Sequence, residues 1–146
     1  MAKLEIHRVP VLRDNYVWLA HEASSNLTAA VDPAVVDPVL AALDAQGWSL
    51  THILNTYHHH DHTGGNLELK EKTGCTIVGS RSDRERIPGI DVELEDGDTY
   101  EFGNATAQVF DVSGHTLGHI AYWFEESDSL FCGDTIFAMG CGRVIE

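Results

Sequence analysis

Four histidines and one aspartate stand within five consecutive residues of this chain. They form the run 58–62 inside the stretch NTYHHHDHTGG, which covers residues 55–65. Imidazole nitrogen and carboxylate oxygen are both ligands that zinc takes in proteins. The run is internal and an aspartate interrupts it, which favours a metal site over an exposed loop or the remnant of a tag.

The spacing within the run predicts which side chains would converge. Residues two apart in an extended segment point to the same side, so His59 and Asp61 would point together. His62 would join them as the chain bends toward the glycines at 64–65, whereas His58 and His60 would face away.

Two later polar turns carry further candidate ligands. The stretch SGHTLGH (113–119) contains His115, a predicted ligand, and His119, predicted to be structural and to donate to a neighbouring acceptor. The stretch FCGDT (131–135) places Asp134 in a Gly-Asp-Thr turn directly after a predicted strand. Turns at one end of a sheet can converge on a single site. His7, His21 and His52 fit no such pattern and are interpreted as surface or strand residues.

Charge and composition restrict the class of protein. The 146 residues are 43% hydrophobic with a formal net charge of −14, which predicts one globular domain over 1–146. Because a domain this acidic would repel a phosphate backbone, no nucleic-acid partner is expected. Arg81, Arg84 and Arg86 alternate with Asp83 and Glu85, as is typical of a solvated face.

Neither targeting segments nor cysteine pairing are predicted. The first 16 residues hold no long apolar run and no stretch approaches a membrane span, so a cytoplasmic location without a membrane partner is expected. Cys75, Cys132 and Cys141 show no C-x-x-C spacing, which fits a reducing compartment. Each is interpreted as a small buried residue.

The predicted elements give a β-rich α/β chain with two helices over a sheet in its first half. One helix begins at Asp37-Pro38, with Asp37 as N-cap, and ends at Gly47; the other covers Asn66–Lys72 and ends at Gly74. Because helices on one face leave the other face needing cover, we expect a larger fold or an oligomer. Strands are predicted at Leu4–Val9, Tyr16–Ala20, Leu27–Val31, Thr51–Asn55, Cys75–Gly79, Ala105–Asp111, Ala121–Phe124 and Leu130–Cys132. The stretch 96–103 is predicted to form a turn followed by a strand.

Together these motifs resemble the metallo-β-lactamase superfamily, with its H-x-H-x-D-H signature, Gly-His loop and Gly-Asp turn. The closer resemblance is to its glyoxalase II branch, the hydroxyacylglutathione hydrolases, and it extends over essentially the whole chain. The stretches that carry it are VLRDNYVWL (11–19), HHHDHTGGN (58–66), SGHTLGHIAY (113–122) and FCGDTIFAMGCGR (131–143).

The resemblance implies an α/β fold, the four-layer αββα sandwich, of which this chain would form the first half plus part of the second sheet. It implies hydrolysis of the thioester S-D-lactoylglutathione to glutathione and D-lactate, in methylglyoxal detoxification. Two divalent metal ions are implied, zinc first, with iron or manganese as alternatives. A hydroxide held between them would attack the thioester carbonyl.

The resemblance also assigns residues. His59, His115 and Asp134 would bind one metal, and Asp61, His62 and the shared Asp134 the other. Asp61 and Asp134 are the predicted catalytic residues.

A substrate contact is assigned as well. Arg143, in GCGR, matches a basic residue that holds the glutathione moiety.

The chain departs from the family pattern in two respects. Tyr57 stands where the signature opens with a histidine, and a neutral phenol, with a pKa of about 10, is a poor zinc ligand. Tyr57 would coordinate as a phenolate, line the site or be a substitution. Family chains also run beyond this length, and Ile145 stands where an aromatic residue is common. We therefore expect a domain incomplete at its C-terminus, with impaired catalysis.

Two other interpretations stay open. One is a persulfide dioxygenase that uses a single iron; the other is a non-catalytic metal-binding fragment, favoured by Tyr57. A nuclease is disfavoured by the acidic charge and a β-lactamase by the absent signal peptide. The oligomeric state, the metal in the cell and the acyl group of the substrate are not determined by the sequence.

Overall fold

The structure is a computed structural model that describes residues 4–11, 15–33, 35–56, 63–111, 120–127 and 129–131. Short 3-10 turns lie at Arg81–Asp83 and Glu125–Ser127. The strands and helices, in chain order, are β1 (Glu5–Val11), β2 (Asn15–Glu22), β3 (Leu27–Val31), α1 (Asp37–Gln46), β4 (His52–Leu54), α2 (Asn66–Thr73), β5 (Thr76–Ser80), β6 (Val92–Leu94), β7 (Thr99–Phe102), β8 (Ala105–Asp111), β9 (Ile120–Phe124) and β10 (Ser129–Phe131).

The strands form two sheets. The larger has six strands in the order β1-β2-β3-β4-β5-β6, with antiparallel pairs from β1 to β3 and parallel pairs from β3 to β6. The smaller is an antiparallel sheet of four strands in the order β10-β9-β8-β7. Because β3, β4 and β5 are parallel, their carboxyl ends meet at one edge of the larger sheet, which we call the carboxyl edge.

Two hydrophobic cores separate the layers. One lies between the sheets and includes Val31, Leu54 and Val78 of the larger sheet with Phe102 and Tyr122 of the smaller. The other lies between the larger sheet and the helices and is described below. The sequence predicted helices on one face of the sheet and no cover for the opposite face. In the structure, the second sheet of the same chain covers that opposite face.

The alternation of side chains along the parallel strands explains both cores. Ile53 points to the helices while the next residue, Leu54, points to the second sheet, as expected for a period of two. On the helix side, Ile53 belongs to the core that contains Val39 and Leu43 of α1 and Leu69 of α2. Three layers result, and they confirm the predicted first half of an αββα sandwich with part of its second sheet.

The helix ends agree with the sequence to within one residue. Gly47 and Gly74 end the helices in the left-handed conformation, as predicted. The prediction of Asp37 as N-cap is wrong by one residue, because Val36 already has helical angles and Asp37 is the first helical residue. Its carboxylate still lies in the first turn, where the helix dipole favours negative charge.

The predicted strands are confirmed with bounds that differ by at most two residues, and one strand was not predicted. That strand, β6, has only three residues and pairs in parallel with β5. No helix in the described ranges is both long and apolar enough to cross a membrane. His7, His21 and His52 lie in strands, as interpreted from the sequence.

Candidate functional site

The predicted ligands lie in three segments of the chain, and the structure describes residues that flank them. The segment 57–62, which contains the histidine run, follows Thr56 and precedes Thr63; the segment 112–119 connects β8 to β9; and Asp134 follows β10. The predicted site residues and the histidines beside them lie outside the described residues: Tyr57, His58, His59, His60, Asp61, His62, His115, His119, Asp134 and Arg143. In the described part of the chain, no three His, Cys, Asp or Glu side chains gather at one point.

Asn55 and Thr56, the two residues before the segment 57–62, have a hydrogen-bond partner for every backbone N–H and carbonyl. The Asn55 N–H donates to the Val78 carbonyl at 2.8 Å, and the Asn55 carbonyl accepts from the Tyr122 hydroxyl at 2.7 Å. The Thr56 N–H donates to Asp32 at 2.8 Å, and the Thr56 carbonyl accepts from the Ile120 N–H at 2.9 Å. Because these partners come from three separate segments, namely β5, β9 and the end of β3, they fix the direction in which the chain enters residues 57–62.

Asp32 holds Thr56 with both carboxylate oxygens. Oδ1 accepts from the Thr56 N–H, and Oδ2 accepts from its hydroxyl at 2.7 Å. Asp32 follows β3 directly, its own N–H donates to the Leu54 carbonyl at 3.0 Å, and its φ is 52°. Aspartate tolerates this left-handed conformation better than most residues, which lets the strand turn and the carboxylate reach across to β4.

Tyr122 links the second sheet to the carboxyl edge of the first. Its hydroxyl donates to the Asn55 carbonyl and, at 3.3 Å, lies near the Val78 carbonyl, so it bridges the residue that follows β4 and the middle of β5. The side chain is fully buried. Burial, with the negative charge of Asp32, raises the pKa of the phenol well above its ordinary value. The group therefore stays a neutral donor.

The strand that carries Tyr122 also brings the other two predicted segments to this edge. Ile120, whose N–H reaches Thr56, pairs with Asp111, so both ends of the segment 112–119 lie on one rung of the ladder. Phe131, the last described residue before Asp134, pairs with Tyr122 two residues along β9. The three segments that hold the predicted ligands thus leave or enter the described fold in one neighbourhood.

Asn66 links the far end of the histidine run back to its beginning. It is the first residue of α2, and its side-chain Nδ2 donates to Asn55 Oδ1 at 2.6 Å and to the Pro88 carbonyl at 3.1 Å. Asn66 is fully buried, yet its Oδ1 meets no donor among the described residues.

Gly65 allows α2 to begin close to the end of β3. Its N–H donates to the Pro33 carbonyl at 2.8 Å. A Cβ at this position would lie 3.0 Å from the carbonyl oxygens of both Pro33 and Val35, so a larger residue would push the helix away from the edge. The second of the two glycines after the histidine run is therefore explained by a close backbone approach.

The sequence did not assign Asp32, Asn55 or Tyr122 to the site. Their signal is weak, because each is a polar residue at or near the end of a buried run, and its partners lie far away in the chain. Asn66 lay within a motif, but its contact with Asn55 required the fold. These residues hold the segments with the predicted ligands.

Comparison with known proteins places the chain in a family. Residues 20–146 match the metallo-beta-lactamase superfamily. The hydroxyacylglutathione hydrolase of Methylococcus capsulatus is 64% identical over 143 residues, which are 98% of this chain and 56% of that protein. That of Rhodospirillum rubrum is 53% identical over 146 residues, covering 57% of its length. The chain thus spans somewhat more than half the length of these curated relatives.

Solved structures agree with the fold. ETHE1 from Myxococcus xanthus superposes with a TM-score of 0.79 at 27% identity, over 95% of this chain and 61% of that one. The B3 metallo-beta-lactamase BLEG-1 gives a TM-score of 0.79 at 20% identity, over 95% of this chain and 76% of its own, a likeness of fold alone. With the family match over most of its length and the layered sheets described above, this chain belongs to the metallo-beta-lactamase superfamily.

Proposed function

We propose that the chain is the metal-bearing part of a hydrolase that cleaves the thioester of a 2-hydroxyacylglutathione, with S-D-lactoylglutathione giving D-lactate and glutathione. The observation that carries the proposal is the hydrogen bond between the Ile120 N–H and the Thr56 carbonyl at 2.9 Å. It joins the end of the segment that contains His115 to the start of the run that contains His59, Asp61 and His62. The names of the curated relatives support the substrate class.

The residue types present fit a divalent metal. Histidine and aspartate are the donors that a zinc hydrolase uses, and the buried Oδ1 of Asn66 beside the run is an acceptor of the kind that orients a ligating imidazole. We propose His59, His115 and Asp134 for one zinc, and Asp61, His62 and Asp134 for a second. Bound zinc supplies hydroxide at neutral pH, because it lowers the pKa of a bound water to about 7.

The protein's own groups would then do two things. Asp61 and Asp134 would hold the metal ions in place through their carboxylates, and the Arg143 guanidinium would bind a carboxylate of glutathione. Tyr57 replaces one imidazole, so we propose that this chain turns over more slowly than a form with histidine there. We place its work in the cytoplasm, which Cys75 supports as a free, buried thiol whose pKa is raised by burial.

The test is the initial rate of S-D-lactoylglutathione hydrolysis by the 146-residue chain with zinc, with and without a chelator. We expect slow, chelator-sensitive turnover that Tyr57→His increases. His59→Ala should abolish it, and the matched variant His60→Ala, one residue along the same run, should leave it unchanged.

Three results would contradict the proposal. Turnover that ignores the chelator would exclude a metal hydrolase. Zinc binding without turnover, even in Tyr57→His, would favour the non-catalytic metal-binding fragment. Oxygen consumption with a single bound iron would favour the persulfide dioxygenase, which has less support because the relatives at 50–64% identity are named as hydrolases.

A further inference from the structure

A histidine lies between the two sheets at the start of β4. His52 points to the same side as Leu54, toward the second sheet, because residues two apart in a strand share a face. Its ring packs edge-on against Phe102, at 5.0 Å between ring centroids, and against Tyr100, at 6.0 Å. Both aromatic residues belong to β7, so the imidazole separates β4 from β7.

The larger sheet fixes the direction of the His52 ring. Nδ1 lies 2.8 Å from the Thr51 hydroxyl, within hydrogen-bond distance. That hydroxyl accepts from the Thr28 N–H at 2.9 Å and lies 3.0 Å from the Thr28 carbonyl. Thr28 lies in β3, the neighbour of β4. The imidazole is therefore anchored on one sheet and packed against the other.

The described side chains that pack against His52 offer no negative charge to a protonated ring. The flanking strands β3 and β5, with the sequences LTAAV and TIVGS, contain no ionisable residue. Tyr100 faces the ring, and burial raises the pKa of its phenol, which therefore stays neutral. Glu101 of the same strand is exposed on the opposite face of the second sheet.

Glu22 lies in the same junction between the sheets, and acid acts on it in a different range. It accepts from the Asn104 N–H, in the turn that follows β7, at 2.9 Å. Hydrogen bonds from the Ser24 side chain and then from Asn104 lower the pKa of Glu22 from 4.5 to about 2, so its contribution to stability is complete above pH 4.5. Burial lowers the pKa of His52 from 6.5. Because the unfolded chain binds the His52 proton first, stability is lost as the pH falls below 6.5.

We propose that His52 is an acid-sensitive wedge between the sheets: the neutral ring packs under β7, and protonation of the ring releases β7 from the larger sheet while Glu22 still holds the turn that follows. A charged imidazole leaves this position because it would be buried without water or a counter-ion. Release can stay local, since β7 is the last strand of its sheet and pairs there with β8. This role of His52 does not depend on the proposed hydrolase activity.

The test follows the urea midpoint of the full 146-residue chain, with and without zinc, from neutral pH down to about pH 5. His52→Phe keeps an aromatic ring and His52→Gln keeps a polar group, but neither variant binds a proton there. We expect the parent midpoint to decline more steeply toward acid than the midpoint of either variant. The folded-to-unfolded ratio falls by up to about tenfold for each unit that separates the native and unfolded pKa values.

Two local measurements accompany the midpoints. The imidazole C–H resonance of His52, assigned by its loss in the variants, should titrate below pH 6.5 in proton NMR. Backbone amides of β7 should exchange with deuterium faster in the parent than in His52→Phe at about pH 5, because only the parent releases the strand.

Ile53→Val is the matched control for packing. Ile53 is the next residue of β4, fully buried on the face that meets the helices, so its truncation loosens the same strand without touching the ring. We expect it to lower the urea midpoint by the same amount at every pH, which leaves its curve parallel to that of the parent.

Each outcome decides the role of His52. Parallel curves for the parent and both His52 variants would overturn it, because the ring would then act through packing alone. A His52 resonance that titrates at or above pH 6.5 would overturn it as well. Faster exchange in all strands at once, with no excess in β7, would show global unfolding and exclude the local release. If His52→Phe does not fold, His52→Gln carries the same comparisons.

Discussion

The two edges of the six-stranded sheet both bury polar side chains, but they use them differently. At the amino edge, where β3, β4 and β5 begin, polar groups close turns and pair neighbouring strands. At the carboxyl edge, Asp32 and Tyr122 reach across to the backbone of residues 55–56. There the Oδ1 of Asn66 also lacks a donor among the described residues.

Glu22 shows how completely the amino edge satisfies its own groups. One oxygen accepts from the Asn104 N–H at 2.9 Å, and the other accepts from the N–H of Ser24 at 2.9 Å and from its hydroxyl. Asn104 lies in the turn between β7 and β8, so this carboxylate links the two sheets. A network with every member paired stabilises the fold and offers nothing to a ligand.

The histidines of the amino edge follow the same pattern. His21 stacks on Trp48 at 4.5 Å and its Nδ1 lies 2.8 Å from the Thr28 hydroxyl. His52 packs edge-on against Phe102 at 5.0 Å, and burial lowers its pKa. Both are packing residues. The comparison of the two edges shows that the groups around a histidine, more than the presence of the histidine itself, distinguish a structural role from a functional one.

The largest expected effect is at the carboxyl edge. Asp32→Ala would leave two buried donors of Thr56 unpaired and place alanine at a φ of 52°. We expect a loss of about 3–5 kcal/mol in the free energy of unfolding, measured by urea denaturation. Zinc affinity should fall as well, because the residue that starts the histidine run would lose its position.

Asp32→Asn is the matched control, since asparagine keeps one acceptor oxygen and tolerates the same backbone angle. It should lose less than half as much stability as the alanine variant. Equal losses in the two variants would show that Asp32 acts through its charge and not through the hydrogen bonds to Thr56. A stability loss with unchanged zinc affinity would remove the distinction between the edges.

A smaller effect is expected at the amino edge, at the turn that meets Glu22. Gly103 has a φ of 61°, and a Cβ there would overlap Glu22 Oε1. Gly103→Ala should therefore cost about 2–3 kcal/mol, from backbone strain plus displacement of the carboxylate. Zinc affinity should stay within a factor of about two, because distant sites are nearly independent.

Gly47→Ala separates the two contributions to that loss. Gly47 has a φ of 73°, and a Cβ added there would meet nothing within 4 Å. Alanine at this position therefore adds backbone strain of about 1–2 kcal/mol without a clash. Urea denaturation of both variants gives the difference. Equal losses would mean that the Glu22 carboxylate moves aside freely and does not link the sheets.

Much of the fold could be predicted from the sequence, because it is encoded locally. Apolar runs such as 27–31 and 105–111 became strands, and Gly47 and Gly74 ended helices through their backbone freedom. The strand Val92–Leu94 was not predicted, since three residues are too few to show alternation. Its pairing with β5 depends on the rest of the sheet.

The candidate site likewise has a part that could be predicted from local sequence and a part that could not. The ligand types and their spacing are local, so His59, Asp61 and His62 could be proposed from the sequence, and their placement stays a prediction. The residues that hold the run are not local: Tyr122 lies 67 positions from Asn55, and Asp32 lies 24 positions from Thr56. Such partners become visible only when the sheet order is known.

The smallest effect concerns the acid stability that Glu22 gives to the amino edge. Hydrogen bonds from the Ser24 side chain and then from the Asn104 N–H lower the pKa of Glu22 from 4.5 to about 2. Its contribution is therefore complete above pH 4.5 and is lost as the pH falls toward 2, since the unfolded chain binds the proton first. Glu22→Gln should lower the urea midpoint at neutral pH and flatten its decline across that same acid range.

Glu101→Gln is the matched control for this last prediction. Glu101 is an exposed carboxylate that accepts from the Thr106 hydroxyl at 3.0 Å, and its variant should follow the parent curve. Parallel curves for the parent and Glu22→Gln would show that this carboxylate does not stabilise the amino edge. Unchanged zinc affinity in Glu22→Gln would keep the two edges distinct, because a link between sheets would then act on stability alone.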